Sequence, residues 1–68
     1  MAGTYKITEL VGTSPVSFAE ATKAAVAEAA KTIHHMEWFK VSEESGRIKD
    51  SKIEEFQVRL KIGFKIDR

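Results

Sequence analysis

The 68-residue sequence contains no cysteine, a single proline and no long apolar run. Without cysteine the chain forms neither disulfides nor thiolate metal sites, and such a composition fits a reducing compartment. No apolar stretch approaches the roughly 18 residues of a membrane span, and no secretory signal pattern opens the chain. We therefore expect a cytoplasmic protein without a membrane partner.

The sequence also lacks an excess of either charge. Its net charge is +1, and acids and bases are mixed along the chain, so it carries no electrostatic footprint for nucleic acid. With 43% hydrophobic and 31% charged residues, the composition is typical of an ordered globular protein. We expect a single domain over residues 1–68. A chain this short buries only about 60% of its unfolded surface and usually needs disulfides, a metal or oligomerisation for stability. Since the chain has no cysteine, we expect oligomerisation to stabilise it.

The first half of the chain predicts a strand followed by a helix. The run TYKITELVG (4–12) is rich in β-branched and aromatic residues, as strands are. Ser17 with Glu20 forms a capping box, and the alanine-rich segment 18–35 predicts a helix of about 18 residues. An apolar stripe at helical spacing consists of Phe18, Ala21, Thr22, Ala25, Val26, Ala29 and Ile33.

The second half predicts a long hairpin. One strand begins near Trp38, and the other alternates strictly. Its apolar face carries Phe56, Val58, Leu60, Ile62, Phe64 and Ile66. Its other face carries Glu55, Gln57, Arg59, Lys61, Gly63, Lys65 and Asp67. Asp50-Ser51 is typical of a hairpin turn, and we expect a bulge at Gly46.

The predicted fold is therefore α+β: a β-α-β-β protomer with a three-stranded antiparallel sheet and one amphipathic helix. A helix of about 18 residues is roughly 27 Å long, whereas a strand of about 14 residues spans roughly 46 Å. The helix cannot cover that strand, so we expect other copies of the chain to bury the overhang.

The tip of the hairpin leaves two alternatives open. Ile48 and Ile53 have the opposite parity to the core positions of their strands. With regular pairing they face outward and suggest a subunit contact. A local twist that rotates the tip explains them equally well.

Trp38 is the single tryptophan, and the alternation places it on the face opposite to Phe39 and Val41. With a two-residue turn at 50–51, it lies opposite Gly63. Gln57 shares that outer face about 20 Å away along the strand. The indole either packs a subunit interface or offers a stacking platform for a heteroaromatic ring, with an amide from another copy on the polar edge of the ring.

The segments ELVGTSPVSFAEA, Trp38-Phe39 with Val41, and FQVRLKIGFKID resemble the dodecins, small flavin-binding proteins. The resemblance runs from about Lys6 to Asp67. It implies that the sheet wraps partly around the helix and that the protomers form a hollow homododecamer. It further implies a flavin, FMN or riboflavin, stacked on Trp38 with Gln57 at its polar edge. The implied role is non-enzymatic storage, buffering and photoprotection. The alternative is a structural homo-oligomer whose Trp38 only packs an interface.

The sequence departs from the family pattern near Gly46. Many bacterial dodecins have an arginine just before this glycine, where Ser45 stands here, and Arg47 follows it. Arg47 can hold the phosphate of FMN only if it reaches the same space. Our candidate cofactor-binding residues are therefore Trp38, Gln57, Arg47, Ser45 and Lys65. Some family members also bind coenzyme A.

The sequence gives only weak indications of a metal-binding or catalytic site. His34-His35 with Glu37 lacks the spacing of a metal motif, and two histidines at a helix C-terminus are explained by the helix dipole. No Ser/His/Asp order or glycine-rich phosphate loop stands out. We expect no metal site and no catalytic residues.

Overall fold

The computed structural model describes residues 3–66 in the order β-α-β-β. The strands are β1 (Tyr5–Ser14), β2 (Met36–Lys49) and β3 (Lys52–Lys65), and the helix α1 spans Phe18–Ala29. One antiparallel sheet has the order β1-β3-β2, so the last strand lies in the centre. The predicted fold class is confirmed.

The helix begins where the capping box predicts. The Ser17 side chain accepts a hydrogen bond from the backbone N–H of Glu20 at 3.0 Å, which satisfies one of the free amides of the first turn. The predicted stripe faces the sheet. Its buried members are Ala21, Ala25 and Ala29. Small side chains at these positions let the helix lie close to the strands beneath it.

The predicted C-terminus of the helix is wrong. The helix ends at Ala29 and not near residue 35, because the chain turns at 30–33 to start β2 at Met36. His35 adopts a left-handed conformation with φ of 62°, and its carbonyl oxygen accepts a hydrogen bond from the backbone N–H of Lys65 at 3.0 Å. Both histidines thus belong to a connection, and the last helical turn contains no basic residue. The helix-dipole explanation for them is therefore also wrong.

The hydrophobic core lies between the helix and the two strands β1 and β3. Its largest fully buried side chains are Val58, Leu60 and Ile62, as the alternation of β3 predicts. Gly12 allows the close approach, because a Cβ there would collide with the carbonyl oxygen of Ala21. Ile66 follows the end of β3 and is half-buried, and Asp67 lies outside the described residues.

The hairpin turn forms at Asp50-Ser51, where both residues have positive φ (52° and 64°), as in two-residue type I′ turns. The predicted pairing near the other end of the hairpin is confirmed. Phe39 lies opposite Ile62, Val41 opposite Leu60 and Trp38 opposite Gly63.

Between these ends the pairing shifts twice. β2 carries an extra residue, Ser42, and β3 carries an extra residue, Glu54. The two irregularities cancel, so the register is the same on both sides of them. Gly46 pairs regularly with Phe56, so the predicted bulge at this glycine is wrong.

The two irregularities decide the orientation of the hairpin tip. The extra Ser42 turns Ile48, and the extra Glu54 turns Ile53, to the helix side of the sheet, where both line a groove with Phe18 and Phe56. The rotated tip is thus the correct alternative, and the outward display is wrong. The isoleucines are nevertheless 74% and 63% exposed, because Phe18, the first residue of the helix, is the one helix residue that lines their groove.

The helix covers even less of the hairpin than the sequence suggests. Its 12 residues span about 18 Å, whereas the 14 residues of β3 span about 46 Å. The helix packs on β1 and β3, and the helix-side face of β2 stays open. Phe39 and Val41 are 54% and 39% exposed there. Burial of this face by further copies of the chain therefore stays a prediction.

Candidate flavin site

The candidate site occupies the outer face of the sheet, the face turned away from the helix. Strand pairing arranges its side chains in rows that cross all three strands. One row contains Ile7, Gly63 and Trp38, and another contains Thr13, Gln57 and Ser45. Two rows lie between them. The first holds Glu9, Lys61 and Lys40, and the second holds Val11, Arg59 and Glu43.

The Trp38 indole lies over the backbone of Gly63. A Cβ built on this glycine would collide with Cζ2, Cε2 and Cη2, three consecutive atoms of the six-membered ring. These atoms lie at nearly the same distance from that position, so the ring presents its face to the glycine. Gly63 is buried as a result, while the indole itself remains 42% exposed. One aromatic face is supported by the protein, and ring surface remains open to a ligand.

Tyr5 completes the support of the indole. Its ring meets Trp38 edge to face, with centroids 5.1 Å apart and planes inclined at 72°. Tyr5 is not among the predicted site residues, because its contact with Trp38 depends on strand order. A tyrosine on β1 reaches an indole on β2 only across a glycine on the strand between them. The signal that could have found it is the pairing of the first strand with the last, which places Tyr5 opposite Lys65.

Gln57 lies on the same face at the other end of the hairpin. Its amide nitrogen donates to Oε1 of Glu55 at 2.8 Å, and its Oε1 accepts from the Ser45 hydroxyl at 3.4 Å. A primary amide has two N–H donors and two acceptor lone pairs. Gln57 therefore keeps a donor and an acceptor for a further partner.

Arg47 shares this face with Ser45. The extra residue Ser42 sets the alternation, so Ser45 pairs with Gln57 and Arg47 pairs with Glu55. An ion pair supports this orientation, since Nε of Arg59 lies 3.5 Å from Oε1 of Glu43 on the same face. By register Arg47 thus belongs to the same face as the serine two residues before it, although both also border the groove that Ile48 and Ile53 line.

The five predicted residues fall into two groups. Trp38 and Lys65 lie at one end of the outer face, and Ser45, Arg47 and Gln57 lie at the other. Gly63 and Gln57 are six residues apart on β3, which is about 20 Å. A ligand the size of a flavin ring cannot touch both groups in one protomer, so a site that used both groups would need two copies of the chain.

The outer face offers an aromatic ring, an amide, several cations and the carboxylates of Glu9, Glu43 and Glu55. Within residues 3–66 no three His, Asp or Glu side chains are grouped so that they could hold a metal ion. The helix in this part of the chain is too short and too polar to cross a membrane.

Comparison with known proteins places the chain in a family. The model of the dodecin family matches residues 4–67. A dodecin of Thermus thermophilus is 43% identical over 67 residues, which cover 98% of this chain and 97% of that protein. The chain belongs to the dodecin family, whose members are known as small flavin-binding proteins.

Solved structures agree with this assignment. Dodecin from Streptomyces davaonensis superposes with a TM-score of 0.95 at 37% identity and covers all of both chains. Dodecin from Streptomyces coelicolor gives a TM-score of 0.94 at 39% identity, with 97% of this chain and 94% of that chain covered. The β-α-β-β protomer is thus the dodecin fold.

Proposed function

We propose that this protein binds FMN or riboflavin by stacking the isoalloxazine ring on Trp38, and that it stores and buffers the flavin and limits its photochemistry. The observation that carries the proposal is the position of the indole. It lies on the outer face of the sheet, supported from below by Gly63 and at its side by Tyr5, yet it is 42% exposed. A core tryptophan would be buried under the helix.

Stacking suits the chemistry of this surface. A flat ring on an aromatic side chain contributes about 1–3 kcal/mol for each base-sized ring. The indole is also an electron donor, and it transfers an electron quickly to a photoexcited flavin that lies against it. Stacking on Trp38 therefore quenches flavin fluorescence and shortens the time in which the excited flavin can react.

Gln57 would complete the site from a neighbouring protomer. The amide group has a donor and an acceptor left for the polar edge of the flavin. The separation of about 20 Å between Gln57 and Trp38 within one chain requires a symmetric assembly, for which we propose the homododecamer. The open helix-side face of β2 gives further copies an apolar surface to cover.

Selection between FMN and riboflavin would depend on the cations of this face. Arg47 projects near Gln57 and Ser45, and Lys65 projects near Trp38. A guanidinium or an ammonium is a charge-assisted donor to phosphate, and Ser45 adds a neutral hydroxyl donor. We propose that Arg47 and Lys65 favour FMN. Coenzyme A is a second possible ligand of the assembly.

We propose further that the protein is not an enzyme and that it works in the cytoplasm. A flavin enclosed between the indole and a partner subunit leaves little room for a substrate.

Titration of the apoprotein with FMN, followed by flavin emission, tests the proposal. We expect strong quenching by the wild type and weak quenching by Trp38→Ala. Size-exclusion chromatography of the same variant addresses the alternative, an indole that only packs an interface. An unchanged elution volume together with lost quenching supports the flavin site. No quenching by the wild type, or undiminished quenching by Trp38→Ala, contradicts it.

A further inference from the structure

Tyr5 and Trp38 form an aromatic pair that spans the full width of the sheet. Their strands, β1 and β2, are the two edges, and β3 lies between them. Two strand spacings separate the backbones by about 9–10 Å, yet the ring centroids are 5.1 Å apart. The rings meet because Gly63, on the strand between them, has no side chain to keep them apart.

The indole needs such a contact to hold one orientation. Of the residues of β2, only Met36 is even partly buried, so neighbouring side chains on its own strand restrain the ring little. Gly63 supports the ring face from below, but a bare backbone does not prevent rotation to another rotamer in the plane of the sheet. Tyr5 stands at the side of the ring, and edge-to-face contact is a preferred geometry of aromatic pairs.

We propose that Tyr5 is a positioning residue of the flavin site. It holds the Trp38 indole flat on Gly63 before the ligand arrives, so the flavin meets an ordered ring. This inference rests on the proposed flavin function. The contact by which Tyr5 restrains the indole is nevertheless present in the apoprotein and can be measured there. Preordering lowers the entropic cost of binding, because a side chain that is already fixed loses no further freedom.

The chain contains one tryptophan, so its emission reports on this ring alone. The experiment compares the wild type, Tyr5→Phe and Tyr5→Leu by time-resolved fluorescence anisotropy of Trp38 in the apoprotein. We expect Tyr5→Phe to match the wild type, because the phenyl ring keeps the edge-to-face contact. Tyr5→Leu is expected to add a fast local motion of the indole and to weaken the near-ultraviolet circular dichroism.

Titration with FMN gives the second measurement. Loss of an aromatic pair predicts a roughly two- to tenfold higher Kd in Tyr5→Leu and an unchanged Kd in Tyr5→Phe. Val11→Ala is the control, because Val11 is a half-exposed apolar residue of the same face of β1 that lies opposite Arg59 and away from the indole. It is expected to leave both the anisotropy and the Kd unchanged.

The two measurements distinguish failure of the proposed flavin function from failure of the positioning role of Tyr5. If the wild type does not bind FMN, the proposed function fails, while the anisotropy still decides whether Tyr5 holds the ring. Equal indole motion in Tyr5→Leu and the wild type overturns the positioning role, and so does a Tyr5→Phe variant that behaves like Tyr5→Leu. Tyr5→Ile keeps a strand-forming residue and replaces the leucine variant if that variant does not fold.

Discussion

Trp38 lies directly opposite Gly63 in the β2–β3 ladder, and its indole covers the backbone of that glycine. The pair explains how the largest side chain of the protein remains on the face that the core does not use. The glycine removes the side chain that would otherwise occupy this place on β3. The indole gains a flat support and keeps ring surface for a ligand.

Replacement of Gly63 by alanine is expected to displace the indole. The new methyl group would collide with three ring atoms of Trp38, and the backbone of the central strand cannot move away. We expect FMN affinity to fall at least tenfold, with a change in Trp38 emission in the apoprotein. Titration and emission spectra measure the two effects.

Gly3→Ala is the matched control for this change. A Cβ at Gly3 would lie 3.8 Å from Cε2 of the Tyr5 ring, which is an ordinary van der Waals distance and displaces neither residue. It should bind FMN like the wild type. Wild-type affinity in Gly63→Ala would show that the support beneath the indole is irrelevant to binding.

The open face of β2 predicts the effect of a charge on assembly. Phe39 is 54% exposed and lines an apolar groove of about 670 Å³ with helix residues that include Val26 and Ala27. A lysine in place of Phe39 would place an ammonium in any interface that covers this groove. Burying this unpaired charge would cost desolvation free energy and so weaken association. We expect Phe39→Lys to have a lower mass than the wild type in analytical ultracentrifugation.

Lys52→Gln, at the exposed tip of the hairpin, controls for a general effect of altered charge. It should keep the mass of the wild type. An assembly of Phe39→Lys that is as large as that of the wild type would mean that the groove is not covered by another copy.

The contact between helix and sheet predicts a stability change at Gly12. A Cβ there would collide with the carbonyl oxygen of Ala21 and lie 2.7 Å from the Cβ of Ala25. Overpacking of this kind typically costs about 1–3 kcal/mol, and backbone atoms of the helix cannot turn aside as a flexible side chain can. We expect Gly12→Ala to lower the free energy of unfolding by that amount in urea denaturation. An unchanged midpoint would show that the helix can move away from β1 without loss.

Much of the fold could be predicted because local signals agree with the tertiary structure. The alternation of β3 correctly gave Val58, Leu60 and Ile62 as core residues, and Ser17 with Glu20 marked the start of the helix. The pairing of Trp38 with Gly63 followed from the turn length and the parity of the strands.

The end of the helix could not be predicted from composition. Residues 30–35 contain no glycine or proline, so no strong stop signal follows Ala29. The end is set by the need to start β2 at Met36, with His35 in a left-handed conformation. Tertiary packing here overrides local preference.

The side of the sheet that the hairpin-tip residues face could not be predicted either. The extra residues Ser42 and Glu54 rotate the chain by one position, and neither is a residue type that marks a bulge. As a result the orientation of Ile48 and Ile53 could not be decided. Tyr5 was missed because its contact with Trp38 requires knowledge of which strand lies in the centre.

Isothermal titration of FMN into the wild type and Trp38→Ala, each with its assembly verified by ultracentrifugation, tests the central claim most directly. We expect the wild type to saturate with flavin and protomer in equal amounts. The assembled Trp38→Ala protein should bind at least tenfold more weakly, because the stacking surface is lost. Equal affinity in the two proteins would contradict the account, since the flavin would then bind elsewhere.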